Sequence, residues 1–146
     1  VFAQKTRTPP REAAASIARL ETSTVAQTQA TTGGAASADP PLAMIHPSPG
    51  SSRQLEPLAS RLARGRLVVA PDTRGNGDST PSPLPAPTIG DLARSAFQAL
   101  DRLLPGRFDL YGSHTGASIA MEIAIAHPDR VRRLVIDGMG LYAVDE

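Results

Sequence analysis

The sequence predicts an α/β protein built on a mainly parallel sheet with helices on both faces. Three observations lead there. Apolar runs of strand length recur at 42–46, 66–71, 107–112 and 131–136. The stretches between them carry apolar residues at helical spacing. The connections are short, and strands alternating with helices through short connections imply parallel pairing with right-handed crossovers. The expected spatial order is 66–71, 42–46, 107–112, 131–136, all parallel.

Residues 5–11, Lys-Thr-Arg-Thr-Pro-Pro-Arg, read as a mobile lead. Glu12 to Arg19 is alanine-rich and reads as a short helix after Pro10. Glu21 to Thr32 is Thr-rich and alternates weakly, which leaves two readings open: a weak edge hairpin ending at Gly33-Gly34, or a disordered linker. Residues 1–39 are thus set apart, as a flexible or weakly hairpin-forming segment, from a core over 40–146.

Leu42 to His46 is a short buried strand, followed by the loop Pro47-Ser48-Pro49-Gly50. Ser51 or Ser52 caps a helix over Arg53 to Arg64, with Leu55, Leu58, Ala59 and Leu62 on its inner face and Gly65 ending it. Leu67 to Ala70 is the next strand. A polar loop from Pro71 to Ser79 follows, then four alternating prolines over 80–87 that must be extended. Thr88 caps a helix over Ile89 to Leu104, with Leu92, Ala96, Ala99, Leu100 and Leu103 inward, and Pro105-Gly106 stops it. Phe108, Leu110 and Tyr111 form a strand that turns through Gly112-Ser113-His114-Thr115-Gly116 into a helix marked by Ile119, Ile123 and Ala126. Pro128 closes that helix, and Val131 to Ile136 is the last strand.

With 146 residues there is room for one domain and a modest core. A net charge of +1 gives no electrostatic case for nucleic acid or an anionic membrane. Cysteine is absent, which removes a disulfide framework and thiolate metal sites. No apolar run approaches the roughly 20 residues that cross a bilayer. A cytoplasmic location is expected. Export is the alternative, because Val1-Phe2-Ala3 before Gln4 has the small-residue pattern of a signal peptidase site.

In a parallel sheet, sites lie at the carboxyl ends of the strands. His46, Asp72, His114 and Asp137 each fall at such an end. His114 stands at the tip of the turn that two glycines make between a strand and a helix. His46, His114 and Asp137 contain no locally spaced ligand pair, so neither a metal nor another cofactor is expected.

Four segments, in this order, resemble the α/β-hydrolase fold family: His46-Pro47-Ser48-Pro49-Gly50, Asp72-Thr73-Arg74-Gly75-Asn76-Gly77-Asp78-Ser79, Gly112-Ser113-His114-Thr115-Gly116 and His127-Pro128-Asp129-Arg130-Val131-Arg132-Arg133-Leu134-Val135. They are similar to the family's first oxyanion loop, its Asp-x-Arg-Gly loop, its nucleophile elbow and its helix-to-strand turn. The resemblance covers about Pro40 to Gly138. It implies hydrolysis of an ester-like or other carbonyl substrate, a small molecule. It also implies that His114 occupies the nucleophile position, where the family usually has Ser, Asp or Cys. The backbone N–H groups of Ser48 and Thr115 are the implied oxyanion-hole donors, since Pro47 has none, and His46 and Ser113 flank them as substrate-binding residues. Each has a local alternative: His46 hydrogen-bonding the neighbouring loop, and Ser113 pointing into the protein.

In the family the acid and the catalytic His follow the nucleophile in the chain. They are expected beyond Glu146, so this chain reads as the amino-terminal portion of a hydrolase. The alternatives are a non-catalytic binding module of the same fold and a truncated reading frame without activity. Asp72 is expected to pin its loop through local hydrogen bonds and a salt bridge to Arg74. Residues 131–136 are expected to be a bare apolar edge, through which the isolated chain self-associates or becomes poorly soluble unless the missing half is supplied.

Overall fold

The structure, a computed structural model, describes residues 16–18, 30–33 and 39–140. Their strands are β1 (Ser16–Ala18), β2 (Ala30–Gly33), β3 (Leu42–Ile45), β4 (Val68–Pro71), β5 (Phe108–Ser113) and β6 (Val131–Asp137). One sheet holds them in the order β1-β2-β4-β3-β5-β6. β4, β3, β5 and β6 are parallel, in the expected order.

The amino-terminal segment differs from expectation. Ser16–Ala18 is a strand, not part of a helix, and pairs antiparallel with β2, which pairs antiparallel with β4. Long-range ladder bonds here override the helix propensity of the alanines. β2 ends at Gly33 as the hairpin reading had it, but its partner lies before Glu21. Residues 5–11 and the rest of the Thr-rich stretch lie outside the described residues.

Side chains alternate across the sheet. Ala43, Ile45 and Leu110 face α2 (Ile89–Leu103) and α3 (Thr115–Ala126), packing with Leu100, Ile119 and Ile123. Leu42, Met44 and Val68 face the other way, against Leu55 and Ala59. That second layer is a 3-10 turn (Ser52–Leu55) leading into α1 (Glu56–Leu62). Of the expected inner face, Leu55 is buried and Ala59 half-buried, with Ala63 half-buried beside them, while Leu58 and Leu62 are 39% and 38% exposed. Small residues four apart bring α1 close to the sheet and turn those leucines to its flank.

α2 opens with a capping box. Thr88 Oγ1 accepts from Asp91 N–H at 3.2 Å, and the Asp91 carboxylate accepts from Thr88 N–H at 3.1 Å and from its hydroxyl at 2.7 Å. The Thr88 hydroxyl is the main cause holding the Asp91 carboxyl down at about 2. Thr88→Ala is expected to cost about 1 kcal/mol and to return Asp91 toward the ordinary aspartate range. Thermal unfolding and NMR titration of Asp91 check both.

Two charge clusters tie distant segments. Asp109 on β5 receives Arg132 through two bonds of 2.8 and 2.7 Å and Arg66 through one of 2.7 Å. Arg130 binds Asp101 and the Leu104 carbonyl and lies over the rings of Phe97 and Phe108. No helix among the described residues is long and apolar enough to cross a membrane.

Candidate functional site

The turn between β5 and α3 holds the one non-glycine residue at positive φ among the described residues. His114 sits there at φ 52°, ψ −116°, a sparsely populated region for any residue with a Cβ. Such a conformation costs about 1–3 kcal/mol and persists only where its surroundings impose it. Here the surroundings are close on every side. A Cβ on Gly116 would lie 2.3 Å from the Ile45 carbonyl oxygen, and one on Gly112 would lie 2.2 Å from that of Gly116. The two glycines let α3 start directly against β3 and β5. His114 N–H donates to the Asp137 carbonyl at 2.7 Å, and its own carbonyl accepts from Ala117 N–H at 2.9 Å.

The turn holds the His114 ring out of the sheet and exposed. Nδ1 lies 3.0 Å from the Ser113 hydroxyl. The ring rests on Gly138, where a Cβ would come within 3.0–3.2 Å of its atoms. Ser113 is buried, as its position beside the tip predicts. The register pairs Ser113 with Asp137, and the Asp137 carboxylate accepts from the Tyr111 hydroxyl at 3.0 Å. Burial and that carboxylate push the Tyr111 phenol above its ordinary value, burial contributing more.

The first loop lies beside the turn. The Thr115 hydroxyl donates to the Ser48 carbonyl at 3.4 Å, so the two expected donor segments meet. The first amides of a helix have no partner inside it, which leaves Thr115 N–H to point away from α3.

His46 takes the local alternative and hydrogen-bonds the neighbouring loops. Its ring is 1% exposed and has both nitrogens engaged. Nε2 accepts from Thr73 N–H at 3.0 Å, so Nδ1 carries the proton that it donates to the Pro47 carbonyl at 2.7 Å. His46 therefore braces the loop and offers no nitrogen to a ligand. Asp72 is braced in the same region. Its carboxylate accepts from Ser52 N–H at 2.7 Å and Asp78 N–H at 2.9 Å. The expected salt bridge to Arg74 is replaced: Arg74 reaches α2, donating to the Ser95 hydroxyl at 2.9 Å. Two backbone amides satisfy a buried carboxylate locally, and Arg74 then serves a neighbour that only the fold supplies.

Sequence reasoning passed over Asn76. Its Oδ1 accepts from the Ser48 hydroxyl at 3.2 Å and Gly50 N–H at 3.4 Å, while Nδ2 donates to the Thr73 hydroxyl at 3.0 Å. It joins the first loop to the Asp72 loop. The available signal was its place between Gly75 and Gly77, since a polar residue in a glycine turn is positioned to reach across it. His127 lies at the far end of α3, about 20 Å along the helix from the tip, stacked on Phe97 with ring centroids 3.5 Å apart. No cluster of three metal-ligating side chains occurs among the described residues.

Comparison with known proteins follows the same segments. The alpha/beta hydrolase fold family matches residues 40–143. The chain is 41% identical over 102 residues to a 2-hydroxymuconate semialdehyde hydrolase of Pseudomonas sp. (strain CF600), covering 67% of this chain and 36% of that protein. It is 32% identical over 98 residues to the sn-1-specific diacylglycerol lipase ABHD11 of Danio rerio, covering 66% and 30%. A solved hydrolase from Pseudomonas aeruginosa PA01 superposes with a TM-score of 0.77 at 27% identity, covering 90% of this chain and 49% of its own. The chain thus spans about a third of the length of these curated relatives. The parallel sheet order, the constrained turn between β5 and α3 and the match over 40–143 agree, and the chain belongs to the α/β-hydrolase fold family.

Proposed function

We propose that this chain provides the amino-terminal, elbow-bearing portion of a hydrolase that acts on an ester-like or other carbonyl substrate. The observation that carries the reading is His114 at φ 52°, exposed at the carboxyl end of β5, with the Ser48 loop hydrogen-bonded to the first residue of α3. A substrate carbonyl oxygen accepts from Thr115 N–H and Ser48 N–H. Donation from Nδ1–H to the Ser113 hydroxyl leaves the Nε2 lone pair of His114 facing outward. Nε2 takes a proton from water, the water oxygen attacks the carbonyl carbon, and the proton passes to the departing alkoxide. Asn76 and His46 hold the first loop in place. The semialdehyde hydrolase and lipase names of the relatives support hydrolysis as the reaction class.

Turnover is expected to be slow, since the side chain bound to the His114 ring is a hydroxyl, not a carboxylate. His114→Ala should lower hydrolysis of an activated aryl ester by about a hundredfold. His114→Ser should not yield a proficient esterase, because triad members act as a unit and a lone serine leaves only about 10³–10⁴-fold over water. An unchanged rate in His114→Ala refutes the assignment, as does rapid turnover after an acyl burst in His114→Ser. A second reading, ligand binding without turnover, is favoured by the contacts of the ring with Ser113 and Gly138. Saturable binding of a methyl ketone analogue by a chain with no detectable hydrolysis would select it.

A further inference from the structure

Tyr111 and Ser113 lie two residues apart on β5, so their side chains share one face of the sheet. The register sets Ser113 opposite Asp137 and Tyr111 opposite Val135. Asp137 is thus the diagonal neighbour of Tyr111, within reach of a long side chain. Three hydrogen bonds join these residues to the elbow. The Tyr111 hydroxyl donates to the Asp137 carboxylate at 3.0 Å. The Ser113 hydroxyl is bonded to the Tyr111 hydroxyl. Nδ1 of His114 lies 3.0 Å from the Ser113 hydroxyl.

The direction of every bond follows from the last one. An ionised carboxylate only accepts, and a hydroxyl has one proton to give. Tyr111 spends its proton on Asp137, so its oxygen accepts from Ser113. That donation opposes the upward effects of burial and Asp137 on the phenol. Ser113 has then spent its own proton and accepts from the ring. Nδ1 must therefore carry a proton, and the Nε2 lone pair is free. We propose that Tyr111 and Asp137 are positioning residues which, through Ser113, fix His114 as its Nδ1–H tautomer and stabilise the imidazolium formed when Nε2 takes a proton from water. No proton travels along the chain of bonds; Asp137 stays ionised, and each bond polarises the next. Two hydroxyls separate the carboxylate from the ring, so the assistance is weaker than direct contact would give. The catalytic part rests on the reading of His114 as the base, and the tautomer part does not.

Long-range ¹H–¹⁵N NMR of the three imidazoles in the 146-residue chain tests this, at a pH of about 8.5, above the ordinary histidine range. His114 should be the Nδ1–H tautomer. In Tyr111→Phe the ring packing is kept, but the Ser113 hydroxyl loses its acceptor and turns to donate to Nδ1. Most of His114 should then be the Nε2–H tautomer. Asp137→Asn, at an exposed position, should give a mixture, because an amide both accepts and donates. His46, held as Nδ1–H by Thr73, should be unchanged in both variants and reports that the sheet is intact. With an activated aryl ester, kcat should fall about five- to tenfold in each, the worth of one hydrogen bond, with KM unchanged. The proposal fails if His114 is Nε2–H in the unaltered chain, or if Tyr111→Phe leaves its tautomer as it was. If His114→Ala lowers the rate while Tyr111→Phe moves neither tautomer nor kcat, the positioning role alone falls. If His114→Ala leaves the rate unchanged, the reading of His114 as the base falls, and the tautomer shift by itself upholds the chain of bonds.

Discussion

Gly116→Ala is expected to lower stability by about 3 kcal/mol or more, the upper end for overpacking, and the melting temperature by roughly 10–20 °C. The added Cβ would sit 2.3 Å from the Ile45 carbonyl oxygen and 2.6 Å from that of His46. Both are backbone atoms of a buried strand and its first loop, so no side chain can rotate aside; α3 or β3 must move. Either movement also displaces His114 and the Ser48 loop, so site function should fall with stability. Gly90→Ala is the matched control. Gly90 lies in the first turn of α2, and the nearest atom to an added Cβ is 3.8 Å away, an ordinary contact. Alanine there should be neutral or stabilising by up to about 1 kcal/mol. Thermal denaturation of the two variants checks both signs; equal effects would mean that the close approach at Gly116 is not real.

Asp109→Asn is expected to cost about 2–4 kcal/mol at neutral pH. Removing one member of a largely buried ion pair leaves its partners uncompensated, and Asp109 serves both Arg132 and Arg66. The bonds from Arg132 are the main cause holding its carboxyl below the ordinary aspartate value, against the opposing effect of burial. A carboxyl depressed in the folded state binds fewer protons than in the unfolded chain. Its contribution is therefore fully present above the unfolded value, near 4, and is lost as pH falls through the lower folded one. The gap between wild type and Asp109→Asn should be constant from pH 7 to 5 and narrow below about pH 4. Urea unfolding across this range decides it. A gap that widens on acidification would show that Asp109 does not act through its charge.

Much of the fold could be read from local pattern. The apolar runs placed β3 to β6 within a residue or two, and Thr88 marked the start of α2. The tip position of His114 was legible because Gly112 and Gly116 bracket it where the side-chain period changes from two to 3.6. These features are encoded by neighbours within a few residues. The partners of the polar side chains are not. His46 turned inward because the Asp72 loop, some 27 residues on, brings Thr73 N–H to its ring. Asn76 reaches Ser48 across 28 residues, and Arg74 reaches Ser95 across 21. Ser16–Ala18 became a strand only through its pairing with β2.

The sequence by itself determined the parallel sheet, its strand order and the exposed residue at the β5–α3 turn. In each case a periodic burial pattern or a sterically required glycine leaves one solution. Tertiary structure decided which groups that turn meets: Ser113 and Gly138 against the His114 ring, the Ser48 loop against α3, and Arg132 rather than Arg133 on Asp109. The backbone register sets Asp109 opposite Arg133, yet the guanidinium that reaches its carboxylate is that of Arg132. Hydrogen bonds and ion pairs depend on ångström-scale approach of segments distant in the chain, and no local periodicity encodes that approach.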